Sequence, residues 1–185
     1  MKPKEILVFG ATGNIGRNLI RKLTKNNYKV VAVTRNIHQK GFQLKTQANP
    51  GYLELVELES LDEGKIKDLF NSCSVCINLI GILYEKNKGQ FNKIHSVLPN
   101  ILSKIAKEKK IDQFIHVSAL GIENASNSVY AKSKLDGENN VKKNFKNSLI
   151  LKPSIVYGID DNFTTNFMSL LSKLPIMPLY YNGET

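Results

Sequence analysis

Apolar residues fall in short unbroken runs separated by longer stretches with helical spacing. The runs at 6–9 (Ile-Leu-Val-Phe), 30–33 (Val-Val-Ala-Val), 75–80, 114–117 and 149–151 suit strands buried on both faces of a parallel sheet. A sixth strand is predicted at 52–58, where apolar and acidic residues alternate. Between the runs, Ile15, Leu19, Ile20 and Leu23 share one face of a helix over 14–25, closed by Asn26-Asn27. Ile66, Leu69 and Phe70 mark a helix over 61–71. Phe91, Ile94, Val97, Ile101, Leu102 and Ile105 mark a long one, with Pro99 placed to kink it near its start. Another helix spans 129–145, whereas 35–51 lacks a clean period and reads as loop with room for one helical turn. Strands alternating with helices predict right-handed crossovers, hence an α/β, doubly wound parallel sheet of the Rossmann type.

After Gly158 the pattern changes. Phe163, Phe167, Leu170, Leu171 and Leu174 space one more amphipathic helix, and a tail with Pro175-Ile176-Met177-Pro178 follows without a closing element. The expected organisation is therefore a dinucleotide-binding domain over 1–158 and the start of a truncated substrate-binding region over 159–185.

No stretch approaches the roughly 18 apolar residues of a membrane span, and the short apolar run after the N-terminus has no small-residue cleavage site behind it. The expectation is a cytoplasmic protein. The net charge of +10 raises the question of polyanion binding. Almost all of it is lysine scattered along the chain, the only arginines being Arg17, Arg21 and Arg35. The small clusters at 107–110 and 142–143 sit near predicted helix C-termini, where cations suit the dipole. A solvated basic surface is expected, with no nucleic-acid partner. Cys73 and Cys76 are spaced C-x-x-C but lie in a strand, where odd spacing sends them to opposite faces. With three histidines in the chain, no second ligand pair completes a metal site, so core thiols and no metal are expected.

The chemistry starts at the first strand-to-helix turn, Gly10-Ala11-Thr12-Gly13-Asn14-Ile15-Gly16. In that context one glycine makes the tight turn, one lets backbone approach a pyrophosphate, and one lets the helix pack against the sheet. The helix N-terminus offers its free N–H groups to the phosphates. About 20 residues on, an NAD site wants a carboxylate for the ribose hydroxyls. Here the second strand ends in Thr34-Arg35-Asn36, and Arg35, which Arg17 could join, offers a guanidinium for a 2′-phosphate. NADP(H) is therefore expected over NAD(H).

Tyr130 and Lys134 are four apart on a predicted helix and share a face, while Ser118 ends the fifth strand. A lysine ammonium beside a tyrosine favours tyrosinate and lowers the phenol from about 10. Tyr130 would then give or take a substrate proton, with Ser118 orienting the carbonyl or hydroxyl.

Taken with Asn78-Leu79-Ile80-Gly81 and the segment Lys152-Pro153-Ser154-Ile155-Val156-Tyr157-Gly158, these residues resemble the short-chain dehydrogenase/reductase superfamily. The likeness is to its extended, epimerase-like branch. More narrowly, they look like atypical reductase-like proteins related to an accessory subunit of respiratory complex I. The resemblance implies that Gly10, Thr12, Gly13, Asn14, Ile15 and Gly16 hold the pyrophosphate. It implies that Asn78, Leu79, Ile80 and Gly81 line the adenosine side, and that Pro153, Ser154, Ile155 and Val156 meet the nicotinamide carboxamide. It departs from this sequence twice. His95 stands where the family has a catalytic Asn, and Glu57 and Glu59 stand near where an Asp meets adenine. Two functions follow from the resemblance: an NADP(H)-dependent oxidoreductase or epimerase/dehydratase acting on a small molecule, or a non-catalytic nucleotide-binding accessory or assembly protein, peripheral at the inner membrane through its complex.

Overall fold

A computed structural model describes residues 5–60, 62–125, 127–158 and 161–174, leaving the side chains of Lys40, Asn162 and Phe163 aside. The 175–178 segment and the Phe163 side chain, both invoked above, lie outside the described residues. The chain divides into two compact units, Met1–Pro153 and Ser154–Thr185.

The first unit holds β1 (Glu5–Phe9), α1 (Asn14–Lys25), β2 (Val30–Thr34), α2 (Phe42–Gln47), β3 (Leu53–Glu57) and α3 (Glu63–Leu69). It continues with β4 (Cys73–Asn78), α4 (Leu98–Glu108), β5 (Gln113–Val117), α5 (Val129–Asn144) and β6 (Leu149–Leu151). All six strands form one parallel sheet in the order β3-β2-β1-β4-β5-β6, which is the doubly wound Rossmann arrangement expected from the runs. The order reverses between β1 and β4, so a crevice opens at their carboxyl ends.

Each face of the sheet has its own core. Ile6, Val8, Ile20, Val30, Ala32 and Leu44 form one layer under α1 and α2. Leu7, Phe9, Ile66, Phe70, Leu98, Leu102, Phe114 and Val141 form the other, under α3, α4 and α5. The central strands are buried on both faces, which is why their sequences are continuous rather than alternating.

Four local features differ from expectation. The 35–51 region is more ordered than one turn: a π-helical turn (Ile37–Gly41), capped by the Asn36 side chain accepting from Gln39 N–H at 2.9 Å, leads into α2, whose Leu44 is fully buried. Its burial rests on one residue, too few to leave a period. In α1, Ile15 is exposed beside the glycine turn rather than inward. The long helix is split by a second π-helical turn (Asn92–Val97) ahead of α4. Pro99 has no N–H to give the carbonyl of His95 four residues back, so the turn widens there. The extra residue shifts the helical phase, turning Val97 outward and burying Leu98. Finally, both cysteines belong to the same core layer, because the β1–β4 register slips between Glu5 and Ile6 and leaves Ser74 as an extra residue in β4. Both thiols are free, burial pushing Cys73 up to about 12 and Cys76 well above its ordinary value.

In the second unit, α6 (Asn162–Lys173) is capped by Asp161, whose carboxylate accepts from Thr164 N–H at 2.6 Å. Phe167, Met168, Leu170, Leu171 and Leu174 are exposed on it. No helix among the described residues is long and apolar enough to cross a membrane.

Candidate functional site

The glycine turn between β1 and α1 sits at the switch point. Gly10 has a φ of +80°, and a Cβ there would lie 2.8 Å from the Leu79 carbonyl carbon and 2.9 Å from Ile80 N. Gly16 is equally constrained, since its Cβ would stand 2.5 Å from the carbonyl oxygens of Gly10 and Ala11. Both glycines are demanded by the protein's own packing. Gly13 is not. Its φ is −72°, and a Cβ would meet only Gly10 O, at 3.4 Å. It begins α1 with no side-chain cap and no acidic residue in the first turn, leaving a helix N-terminus suited to an anion. The residues therefore fit a pyrophosphate, with open space at Gly13 for its approach. Thr12 and Asn14 are half-buried beside it.

On the far side of the crevice, Asn78 is wholly buried. Its Oδ1 accepts from Ile80 N–H at 3.1 Å and its Nδ2 donates to His116 Nδ1 at 3.2 Å, so it shapes the 79–81 backbone from behind. Leu79 N–H donates to Phe9 O at 2.9 Å, tying that segment to the end of β1. Because His116 accepts at Nδ1, its proton lies on Nε2, which has no partner among the described residues. Burial, then the Lys134 charge, lowers His116 to about 3 and keeps it neutral.

At the end of β2, Thr34 is buried, Arg35 is exposed and Asn36 spends its side chain on the cap described above. Exposed Glu57 pairs with Thr34 across the β2–β3 ladder, so a carboxylate lies one strand away.

Tyr130, Ser133, Lys134, Gly137 and Glu138 recur at helical spacing along α5 and form one inward stripe, buried except for half-buried Tyr130. The helix is capped by Ser128 Oγ accepting from Ala131 N–H at 3.2 Å. Lys134 is buried, and its Nζ donates to Val117 O at 3.2 Å, one peptide from Ser118. Burial lowers it to about 8, with Glu138 pulling the other way, so it stays largely charged at neutral pH. Ser118 Oγ is buried and has no hydrogen-bond partner among the described residues. Tyr130 packs its ring edge-on to His95 (5.3 Å) and Phe91 (5.6 Å). Burial raises its phenol above the ordinary value, opposite to the lowering expected from a neighbouring lysine. Pro153 accepts from Leu120 N–H at 3.0 Å, which links the β5 and β6 exits. Ser154, Ile155 and Val156 belong to the second unit and are exposed.

Two residues of this network, Gly137 and Glu138, are not singled out by the sequence, and a third, His95, enters only as a departure from the family. His95 is buried, accepts from Ile82 N–H at 3.1 Å through Nε2, and faces Ser133 Oγ at 3.0 Å through Nδ1. Burial, then the Lys134 charge, lowers it to about 4. Glu138, wholly buried, pairs with Lys152 at 3.1 Å and so binds α5 to the end of β6. Gly137 carries no side chain, and a Cβ on it would fall 1.8 Å from His95 O. Spacing along α5 could have found Gly137 and Glu138. Nothing local in the sequence marks His95 as their partner.

The fold matches UDP-glucuronic acid 4-epimerase from Bacillus cereus in complex with NAD, with a TM-score of 0.73 over 91% of this chain and 64% of that one. At 24% identity, that likeness speaks to fold alone. Among curated proteins, the mouse mitochondrial NADH dehydrogenase [ubiquinone] 1 alpha subcomplex subunit 9 is 31% identical over 86% of this chain and 42% of its own length. A ceramide reductase of Caulobacter vibrioides is 27% identical over 94% of this chain and 53% of its own. The chain thus spans about half the length of these relatives. The NmrA-like family model matches residues 2–179, almost the whole sequence, and the protein belongs to the NmrA-like family.

Proposed function

We propose that this chain is the dinucleotide-binding part of a short-chain dehydrogenase/reductase-type protein that binds NADP(H) and moves a proton with Ser118, Tyr130 and Lys134 in an oxidoreduction or epimerisation. The observation that carries the reading is a set of polar groups gathered at the carboxyl edge of β5. Lys134 is charged and buried with one carbonyl to donate to, and Ser118 Oγ is buried with none. Buried polar groups are normally satisfied, and leaving one unmet costs about 1–3 kcal/mol. A substrate oxygen at Ser118 and ribose hydroxyls at Lys134 would meet these needs.

The glycine turn and α1 take the pyrophosphate, with 78–81 on the adenosine side and Pro153 at the carboxamide end. Arg35 takes the 2′-phosphate. Bound NADP(H) would supply or accept the hydride. Lys134, four residues along the same helix, would supply the cation that offsets the burial raising the Tyr130 phenol. Tyr130 hydroxyl then donates to, or its oxygen accepts from, the substrate oxygen that Ser118 orients. Calorimetric titration of NADPH and NADH into wild type and Arg35→Ala tests the cofactor. Removing a charge-assisted phosphate contact is expected to cost about 10–100-fold in NADPH affinity with little change for NADH. Equal wild-type affinities would overturn the preference.

The likeness to a complex I subunit supports a second reading, a nucleotide-loaded accessory or assembly role peripheral to a membrane complex. Tyr130→Phe separates the two. An enzyme would lose about 10²-fold or more in turnover at unchanged NADPH affinity, whereas an accessory protein would fully rescue a deletion strain as the Phe variant.

A further inference from the structure

His95 stands in this chain where the site's relatives are expected to carry an amide, and its contacts reach both the loop after β4 and the helix that bears Tyr130 and Lys134. We infer that His95 is a positioning residue that locks α5 to the loop after β4, and so holds the proton-transfer pair at the edge of the sheet. The inference rests on the reading of Tyr130 and Lys134 given above.

The hydrogen-bond directions are forced. Ile82 N–H can only donate, so Nε2 of His95 accepts and Nδ1 carries the proton. Ser133 Oγ donates to the carbonyl of Tyr130 itself, at 2.7 Å, and is left to accept from Nδ1 at 3.0 Å. The result is a one-way chain from the 79–82 backbone, through the imidazole and a hydroxyl, to the backbone of the proton donor. The ring adds two contacts: it stacks on Phe91 (5.4 Å, 21° between planes) and meets the Tyr130 ring at 87°. Its carbonyl lies where any side chain at position 137 would have to go. His95 is thus fixed to α5 at residues 130, 133 and 137, three positions on one stripe.

Neutrality belongs to the same design. A point at the Cβ position of Gly81 would be 3.3 Å from Lys134 Nζ and 3.8 Å from His95 Nε2. A second cation there would oppose Lys134, and protonated Nε2 would face Ile82 N–H donor to donor. Tyr130 and Lys134 are the titratable groups that face this ring, and the lysine's charge disfavours a charged His95, which in turn lowers His116. Among the described residues, Lys134 is then the buried cation of this network.

The two halves of the imidazole can be tested apart. An Asn amide at 95 can still donate to Ser133, whereas a Gln amide reaches instead to the Ile82 end. NADPH and adenosine 2′,5′-bisphosphate, which carries only the half of the cofactor assigned to the glycine turn and Arg35, are titrated into wild type, His95→Asn and His95→Gln. NADPH is expected to weaken about ten-fold in His95→Gln and no more than about three-fold in His95→Asn, while the bisphosphate changes less than about two-fold in both. Parallel losses for both ligands, or Gln equal to Asn, would overturn the inference. So would ¹⁵N spectra placing the proton on Nε2. If wild type binds neither ligand, the cofactor reading has failed instead. The positioning role is then judged by ¹³C-tyrosine NMR: the Tyr130 titration should move by about half a pH unit or more in His95→Gln and return towards wild type in His95→Asn. An unmoved titration would refute it.

Discussion

Gly10, Gly13 and Gly16 look interchangeable in a motif, yet their surroundings divide them. Adding a methyl at Gly16 drives it to 2.5 Å from two backbone oxygens, and at Gly10 it adds strain at φ +80° to a backbone clash. Gly16→Ala is expected to cost about 1–3 kcal/mol, the scale of core overpacking, and so to lower Tm by roughly 2–12 °C. Gly13→Val should leave Tm within about 2 °C of wild type, since only Gly10 O lies near its Cβ, at 3.4 Å. It should still abolish NADPH binding, because the branched side chain stands where the pyrophosphate approaches. Scanning calorimetry beside nucleotide titration checks both, and a destabilised Gly13→Val would mean that this glycine, too, serves the fold.

At the scale of elements, α5 is held by polar and small residues rather than by a greasy face. Asn140 donates to Ser96 Oγ at 3.2 Å, and Asn144 donates to Asn100 Oδ1 at 2.8 Å and Ser103 Oγ at 3.0 Å. With His95–Ser133 and the bare Gly137, these contacts set how closely α5 approaches α4 and the π-helical turn before it. Gly137→Ala cannot be absorbed by a side-chain rotation, because the obstacle is the carbonyl of His95 at 1.8 Å. The expected result is a loss of about 3 kcal/mol or more, the upper range of overpacking, read as a shift in urea midpoint at unchanged slope. Substituting Ala at the neighbouring exposed Lys132 should change stability by less than about 0.5 kcal/mol. Equal effects at the two positions would show that the helices can separate at little cost.

For the molecule as a whole, the buried histidines make stability depend on mild acid. His95 is held at about 4 and His116 at about 3, against 6.5 for a free imidazole. Both folded values are depressed, so the unfolded chain takes up protons that the folded chain refuses. Stability is therefore full above about pH 6.5 and falls as the pH drops, by about 2 kcal/mol per pH unit between pH 5 and 6.5 for the pair together. Most carboxylates stay ionised in that window, so urea unfolding across it reads the histidines, and a flat profile would show that they titrate normally in the folded state. The sheet, its parallel sense, the glycine turn and the Tyr130–Lys134 face were all legible in the sequence. Each is written locally, in apolar runs, in a turn that needs glycine, or in the 3.6-residue repeat of a helix. The π-helical turns, the bulge at Ser74 and the partners of His95, Asn78 and Glu138 were not. Those depend on which side chains meet far along the chain, 38 residues apart at His95–Ser133 and at Asn78–His116, and on a phase shift of one residue that periodicity cannot register. Sequence determined that a doubly wound sheet with a glycine turn at its switch point would form, and which residues were candidates for its site. Only tertiary packing decided that one of them, His95, would be neutral, buried and linked through Ser133 to the backbone of Tyr130, because burial and a neighbouring lysine set its charge and neither is visible along the chain.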